Sequence, residues 1–251
     1  MKRDQIAIQL YTLRDEASKD PHGTLQRLAQ IGYKDVELAG TYGHTAAQFR
    51  AMLDDAQLRA VSAHIPLGEF EERLDKVIED GQTLGLDWIV IPWIGEDLRN
   101  EKTLRQLGEK MTVWGSTVQG AGMKFGYHNH NFEFDNRAAN GESLWEMLVK
   151  ATDPATVSFE LDAYWAMRGG FDPANLLREY ANRIGLLHLK DANKEDPTRD
   201  TPFGDGALDW GAILAAARAA NVEWYIVEQD HPQNVWADVG RSLANAQGLS
   251  Q

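Results

Sequence analysis

VSFELDAYW (Val157–Trp165), IGLLHLKD (Ile184–Asp191) and WYIVEQD (Trp224–Asp230) are three short apolar runs that end in ionisable residues. Each is rich in β-formers and has the length of one strand. In the first, Glu160 and Asp162 stand two apart, so a strand projects both from one face and Phe159 and Leu161 from the other. With the apolar pair against neighbouring helices, both carboxylates point inward. His188 and Lys190 share a face by the same parity, and so do Glu228 and Asp230. Carboxylates that face a closed interior need a cation or donors to compensate them. A salt bridge to a Lys or Arg on a neighbouring strand is one solution, and a metal ion is another.

Outward from these runs, strand-like and helix-like stretches alternate along the whole chain. The strands read as Ile6–Leu13, Asp35–Gly40, Arg59–Ile65, Trp88–Trp93, the start of KFGYHNHNFEF (Lys124–Phe134), and then the three runs above. Between them fall helical patterns: Asp20 and Pro21 open one that runs through Ala29 and stops at Gly32. Others cover Thr45–Gln57, Phe70–Leu84, Glu101–Gly122, Ser143–Lys150, Pro173–Arg183, Trp210–Ala220 and Val235–Ala246. Eight strand–helix units in 251 residues predict an α/β fold, a closed (β/α)₈ barrel forming one domain over residues 1–251. A doubly wound open sheet would want a glycine-rich phosphate loop after the first strand, and Thr12-Leu13-Arg14-Asp15 is not one. The long polar loop after His188 has the length of a lid or binding loop.

Composition narrows the function classes. The formal net charge is −13, which repels a nucleic-acid backbone. There is no cysteine, which removes disulfides, thiolate metal sites and Cys nucleophiles. No run has the length of a membrane span and the N-terminus does not read as a signal peptide, so a cytoplasmic location is expected. No nucleic-acid or membrane partner is expected, and a homo-oligomer is compatible with the chain.

In a (β/α)₈ barrel the active site forms at the C-terminal strand ends. Asp162, His188 and Glu228 stand there as candidate metal ligands, with a fourth expected from the fifth strand. That strand carries His128, His130 and Glu133 within six residues, a dense set of ligands and bases. Carboxylates and imidazoles without thiolate suit Mn²⁺, Mg²⁺, Co²⁺ or Zn²⁺. Such an ion polarises a carbonyl and hydroxyl pair, while flanking Glu or His residues move the proton. Glu160 and Lys190 are further candidates for catalysis; Lys190 can neutralise Glu160, hold a substrate oxygen or act as an acid. Gln9, Tyr11, His64, Trp93 and Trp165 at strand ends, and Glu37 on the second strand, are candidate substrate contacts, the two Trp by stacking on a sugar ring.

The ordered set IAIQLYTLR, GYHNHNFEF, FELDAYW, HLKD and VEQD resembles the sugar phosphate isomerase/epimerase group of the xylose-isomerase-like TIM-barrel superfamily. The resemblance covers essentially the whole chain. It implies a divalent metal held by Glu, Asp, His and Glu at the ends of strands five to eight. Asp162, His188 and Glu228 match three of these; His128 stands where many relatives have the first Glu. Glu133 then becomes the implied carboxylate, with His130 or His128 as a substitute ligand or base. The resemblance implies a small-molecule sugar or keto-sugar as partner, and an isomerase or epimerase working through proton abstraction beside a carbonyl and an enediolate. A lyase or dehydratase on a keto-inositol or 3-keto-glycoside shares that first step and is the alternative. An abasic-site endonuclease is disfavoured by the acidic charge, and a non-catalytic sugar-binding barrel has no need of a metal cage.

Overall fold

The computed structural model describes residues 1–138 and 140–250. Eight parallel strands close into a barrel. They are β1 (Ile6–Gln9), β2 (Asp35–Leu38), β3 (Arg59–His64), β4 (Trp88–Ile91), β5 (Lys124–His128), β6 (Ser158–Asp162), β7 (Ile184–Leu189) and β10 (Trp224–Val227). Around the wall they run β1-β10-β7-β6-β5-β4-β3-β2, so chain neighbours pair and the last barrel strand closes on the first. The long stretch after β7 holds a small antiparallel ribbon, β8 (Asp191–Ala192) with β9 (Asp200–Thr201). No helix among the described residues is long and apolar enough to cross a membrane.

Helix starts follow their caps. The Asp20 carboxylate accepts from the Gly23 N–H ahead of Pro21–Ile31, and Gly32 ends that helix at φ +118°. Thr45 with Gln48 and Ser143 with Glu146 form reciprocal capping boxes. Several strands stop earlier than their apolar patterns predict. The chain turns into a 3₁₀ helix at Leu10–Leu13 after β1, and into the helix Ala163–Arg168 after β6. Asp162 caps the latter, its Oδ1 accepting from the Trp165 N–H at 2.9 Å. Tyr11 and Trp165 therefore sit on helical turns above the barrel rather than on strands.

Apolar side chains form two cores. The larger lies between the barrel wall and the helices and includes Phe159 and Leu161. The smaller plugs the barrel interior with Ala7, Val61, Trp88, Val90, Leu186, Trp224 and Ile226. The Trp88 indole reaches Gly185 on β7, where a Cβ would lie 2.4 Å from the ring. Glycine is therefore required there by space rather than by backbone angle. Gly185→Ala is expected to cost about 1–3 kcal/mol by overpacking, read from the urea midpoint. In a Trp88→Leu background the same change should cost much less, because the colliding ring is gone. An equal cost in both backgrounds would refute the contact.

Candidate active site and metal centre

Above the apolar plug the barrel interior turns polar in two layers. The lower layer is centred on Glu160. Its Oε2 lies 2.7 Å from His64 Nε2, 2.9 Å from His128 Nδ1 and 3.1 Å from His188 Nε2. Its other oxygen is buried without a hydrogen-bond partner. Glu37 completes the layer from β2. Its Oε1 accepts from Gln9 Nε2 at 2.6 Å and lies 2.8 Å from His188 Nε2, while Oε2 accepts the Ser62 hydroxyl at 2.5 Å.

The electrostatics follow from this crowding. Burial alone would raise Glu160, but the charges of His188 and His64 and the bonds from His128 and His188 carry it well below the usual carboxylate range. Burial would lower His188, yet Glu160 and Glu228 hold it well above its ordinary value. Against the same burial, the carboxylates of Glu37 and Glu160 raise His64. His128 goes the other way: burial brings it down to about 4, against the bond to Glu160. His64 is thus favoured as imidazolium and His128 as neutral imidazole. Because an ionised Glu160 only accepts, His128 donates from Nδ1 and keeps Nε2 as its acceptor.

The upper layer holds Asp162, Lys190, Glu228, Asp230 and His130. Asp162, His188 and Glu228 each offer a ligand atom within 4.8 Å of the others. Asp162 Oδ2 is buried and unpartnered, as an open ligand position requires. Burial pushes the Asp162 carboxyl up to about 7, against Lys190 and His188. The donor set of two carboxylates and an imidazole fits a divalent ion. His64, His128, Glu160 and His188 meet the same spacing one layer deeper. The β5 loop is stapled to this centre by Asn129, whose Oδ1 accepts the Asp162 N–H at 3.0 Å. Asn129 gave no signal in the sequence, being one polar residue among many, and Ser62 gave none either.

A cavity of about 380 Å³ opens over both layers, lined by His64, His128, His130, Lys190, Glu228 and Asp230. Tyr11 and Trp93, 45% and 49% exposed, stand on its wall. The remaining expected substrate contacts lie elsewhere. Gln9 and Glu37 are buried in the lower layer and bonded to each other. Trp165 packs beside the His130 ring at 5.5 Å and 5.1 Å from Lys190 Nζ. Lys190 does not neutralise Glu160. It pairs with Glu228 at 3.3 Å and with Asp230, and stands 3.9 Å from Asp162.

Glu133 is not brought to Asp162, His188 and Glu228, because the chain turns into the helix Phe132–Asp135 immediately after the β5 loop. Both its oxygens are taken: Oε1 by the Tyr127 hydroxyl at 2.5 Å and Oε2 by the His130 N–H at 2.8 Å. It braces the loop from behind. Burial pushes Glu133 up to about 8 from an ordinary 4.5, against those two bonds. A carboxyl raised on folding contributes stability below its unfolded value and loses it as pH rises through the folded value. Glu133→Gln should therefore gain stability relative to wild type between about pH 4.5 and pH 8, with metal content unchanged. Urea midpoints and elemental analysis test this; loss of metal in the variant would return Glu133 to the ligand set.

The family described as xylose isomerase-like TIM barrel matches residues 25–246. An inosose dehydratase of Geobacillus kaustophilus is 26% identical, over 82% of this chain and 79% of the relative. A sugar phosphate isomerase/epimerase structure from Parabacteroides distasonis superposes with TM-score 0.86 at 29% identity, over 97% of this chain and 93% of that one. The IolI protein, solved with a zinc atom, superposes at TM-score 0.72 over 96% of each chain, and at 12% identity shares the fold alone. The expected isomerase or epimerase is corrected by these findings, since the curated relatives by sequence are inosose dehydratases. By the match over most of its length, on a closed eight-stranded barrel, this chain belongs to the xylose isomerase-like TIM barrel family.

Proposed function

We propose that this chain is a metal-dependent lyase that expels a β-leaving group from a polyhydroxylated cyclic ketone: water from a keto-inositol, or the aglycone alcohol from a 3-keto-glycoside. One observation carries the reading: Glu160 holds two histidines of opposite protonation bias, and both line the cavity. The similarity to inosose dehydratases supports the same reaction class. Dehydration needs a base beside the carbon next to the carbonyl and an acid beside the hydroxyl one carbon further on. His128 is the base: neutral, tautomer set by Glu160, with Nε2 free to take the carbon-bound proton. His64 is the acid and gives a proton to the departing hydroxyl, which leaves as water while the carbon–carbon double bond forms. Glu160 Oε2 lies within hydrogen-bond distance of both rings and orients them; after turnover the protons of His128 and His64 are reset by exchange with water through the cavity that both rings line. Lys190 keeps its charge among three carboxylates and orients a substrate oxygen. Asp162, His188 and Glu228 would hold the divalent ion, with His130 beside them; when bound, the ion supplies Lewis-acid polarisation of the carbonyl oxygen.

Incubation with a keto-inositol and each of Mn²⁺, Co²⁺, Zn²⁺ and Mg²⁺ should yield an enone lighter than substrate by one water. A product of unchanged mass would sink the lyase reading. His128→Ala and His64→Ala should each lower kcat roughly 10²–10⁴-fold, with metal retained. In contrast, Asp162→Ala and Glu228→Ala should lose metal with the fold intact, measured by inductively coupled plasma mass spectrometry alongside circular dichroism. Full activity in either of these two variants would remove them from the site.

A further inference from the structure

Two of the three candidate metal ligands stand past the end of the barrel wall. The last backbone rung between β5 and β6 pairs His128 with Glu160, so Asp162 lies two residues beyond it. The last rung between β10 and β1 pairs Val227 with Ile8, so Glu228 and Gln229 lie one and two residues beyond it. Along a strand, alternate N–H groups face the same neighbour, and at both places that neighbour has already turned away. β5 gives way to its loop and the helix Phe132–Asp135, and β1 to the 3₁₀ helix Leu10–Leu13. A buried N–H at such a point needs another acceptor. His188 has no such need, because it pairs with Asp162 on one side and with Ile226 on the other.

A side chain supplies the acceptor in both cases. The Asp162 N–H donates to Asn129 Oδ1 at 3.0 Å, and Asn129 Nδ2 reaches back to the Asp162 carbonyl at 3.4 Å. The Gln229 N–H donates to the Thr12 hydroxyl oxygen at 3.0 Å. Asn129 and Thr12 are both buried, so water does not compete for either bond. Each side chain takes the place of the carbonyl that the next rung would have offered. Asp162 Oδ1 is already held by the Trp165 N–H, so fixing the backbone as well aims Oδ2 at one place. Glu228 precedes the pinned Gln229 peptide, and its Oε2 stands 3.0 Å from His188 Nδ1. Two carboxylates held close together repel, and a slack backbone would let them part. With both backbones pinned, Asp162, His188 and Glu228 keep their ligand atoms within 4.8 Å of one another.

We propose that Asn129 and Thr12 are positioning residues for the metal centre: each adds a side-chain rung where the wall has run out, and so holds a ligand carboxylate at ion-binding spacing before the ion arrives. The inference deepens the metal-dependent reading and rests on Asp162 and Glu228 being ligands. Neither Asn129 nor Thr12 lines the cavity. Each acts through the backbone of the neighbouring strand, so its loss is read in ion affinity rather than in a lost contact with ion or substrate. Groups that orient ligands in this way set affinity by roughly 10–100-fold.

The test uses the full chain, stripped of ions by a chelator and titrated with Mn²⁺ or Zn²⁺ alone, with Kd read by calorimetry. Thr12→Val keeps the shape and removes the acceptor, while Thr12→Ser keeps the hydroxyl. Asn129→Leu removes the other rung at similar size. Kd should rise roughly 10–100-fold in Thr12→Val and in Asn129→Leu, and return toward wild type in Thr12→Ser. Gly185→Ala is the control for stability, since it perturbs the barrel floor and neither rung. Its urea midpoint should fall while its Kd stays at the wild-type value. Circular dichroism checks that each titrated variant is folded, and because the rungs are tested separately, one variant that fails to fold leaves the other to decide. Rung variants that bind as tightly as wild type, while Asp162→Ala has lost the ion, overturn the proposal. An equal loss of affinity in Gly185→Ala overturns it too. Binding that survives in Asp162→Ala overturns the ligand assignment and this inference with it, so that variant tells the two failures apart.

Discussion

A single buried oxygen, Glu160 Oε2, has imidazole nitrogens of three different strands within 3.1 Å. An ionised carboxylate inside a barrel is tolerable only if charge and donors surround it. His64 from β3, His128 from β5 and His188 from β7 provide them; the carboxylates raise His64 and His188, while burial holds His128 neutral against the pull of Glu160. Removing any one ring would leave the others facing an under-compensated charge. The interior therefore behaves as one electrostatic unit rather than as a set of independent residues.

This unit stands on an apolar floor. Trp88, Trp224, Leu186 and Ile226 fill the barrel below it and keep water from reaching the charges from the N-terminal end. Low dielectric strengthens every interaction above the floor. It also directs the chemistry, because the cavity opens only at the C-terminal ends, where the second polar layer of Asp162, Lys190 and Glu228 lies. Floor, lower layer and upper layer follow one another as Leu186, His188 and Lys190 on β7 and its end, while on β10 the floor residues Trp224 and Ile226 are followed directly by Glu228 of the upper layer.

Loops supply what strands cannot. The β5 loop is held on one side by Glu133 and on the other by Asn129, which ties it to the backbone of Asp162. The long stretch after β7 reads in sequence as a lid or binding loop, but the Asp191 carboxylate gathers its backbone N–H groups and pins it down.

The sequence alone determined the barrel and its inward carboxylates. Alternating strand and helix periods specify eight units, and a period of two along each strand specifies which side chains share a face. Asp162, His188 and Glu228 meet because strand ends meet in any closed barrel. Parity says nothing once a strand ends, and strand ends were overestimated where apolar residues ran on into helical turns. Tyr11, Trp165 and Glu133 sit on such turns; Tyr11 still reaches the cavity wall, while Glu133 is bonded behind the β5 loop rather than beside Asp162, His188 and Glu228. Gln9 and Glu37 face inward as parity requires, and they lie in the lower layer bonded to each other, because depth follows from the stagger of strands around the closed wall rather than from position along one strand. Only the tertiary structure decided that Glu160 collects three histidines, and that Asn129 and Thr12 take the N–H groups past the strand ends. Those contacts join residues far apart in the chain, and no local pattern encodes a partner that arrives from another strand.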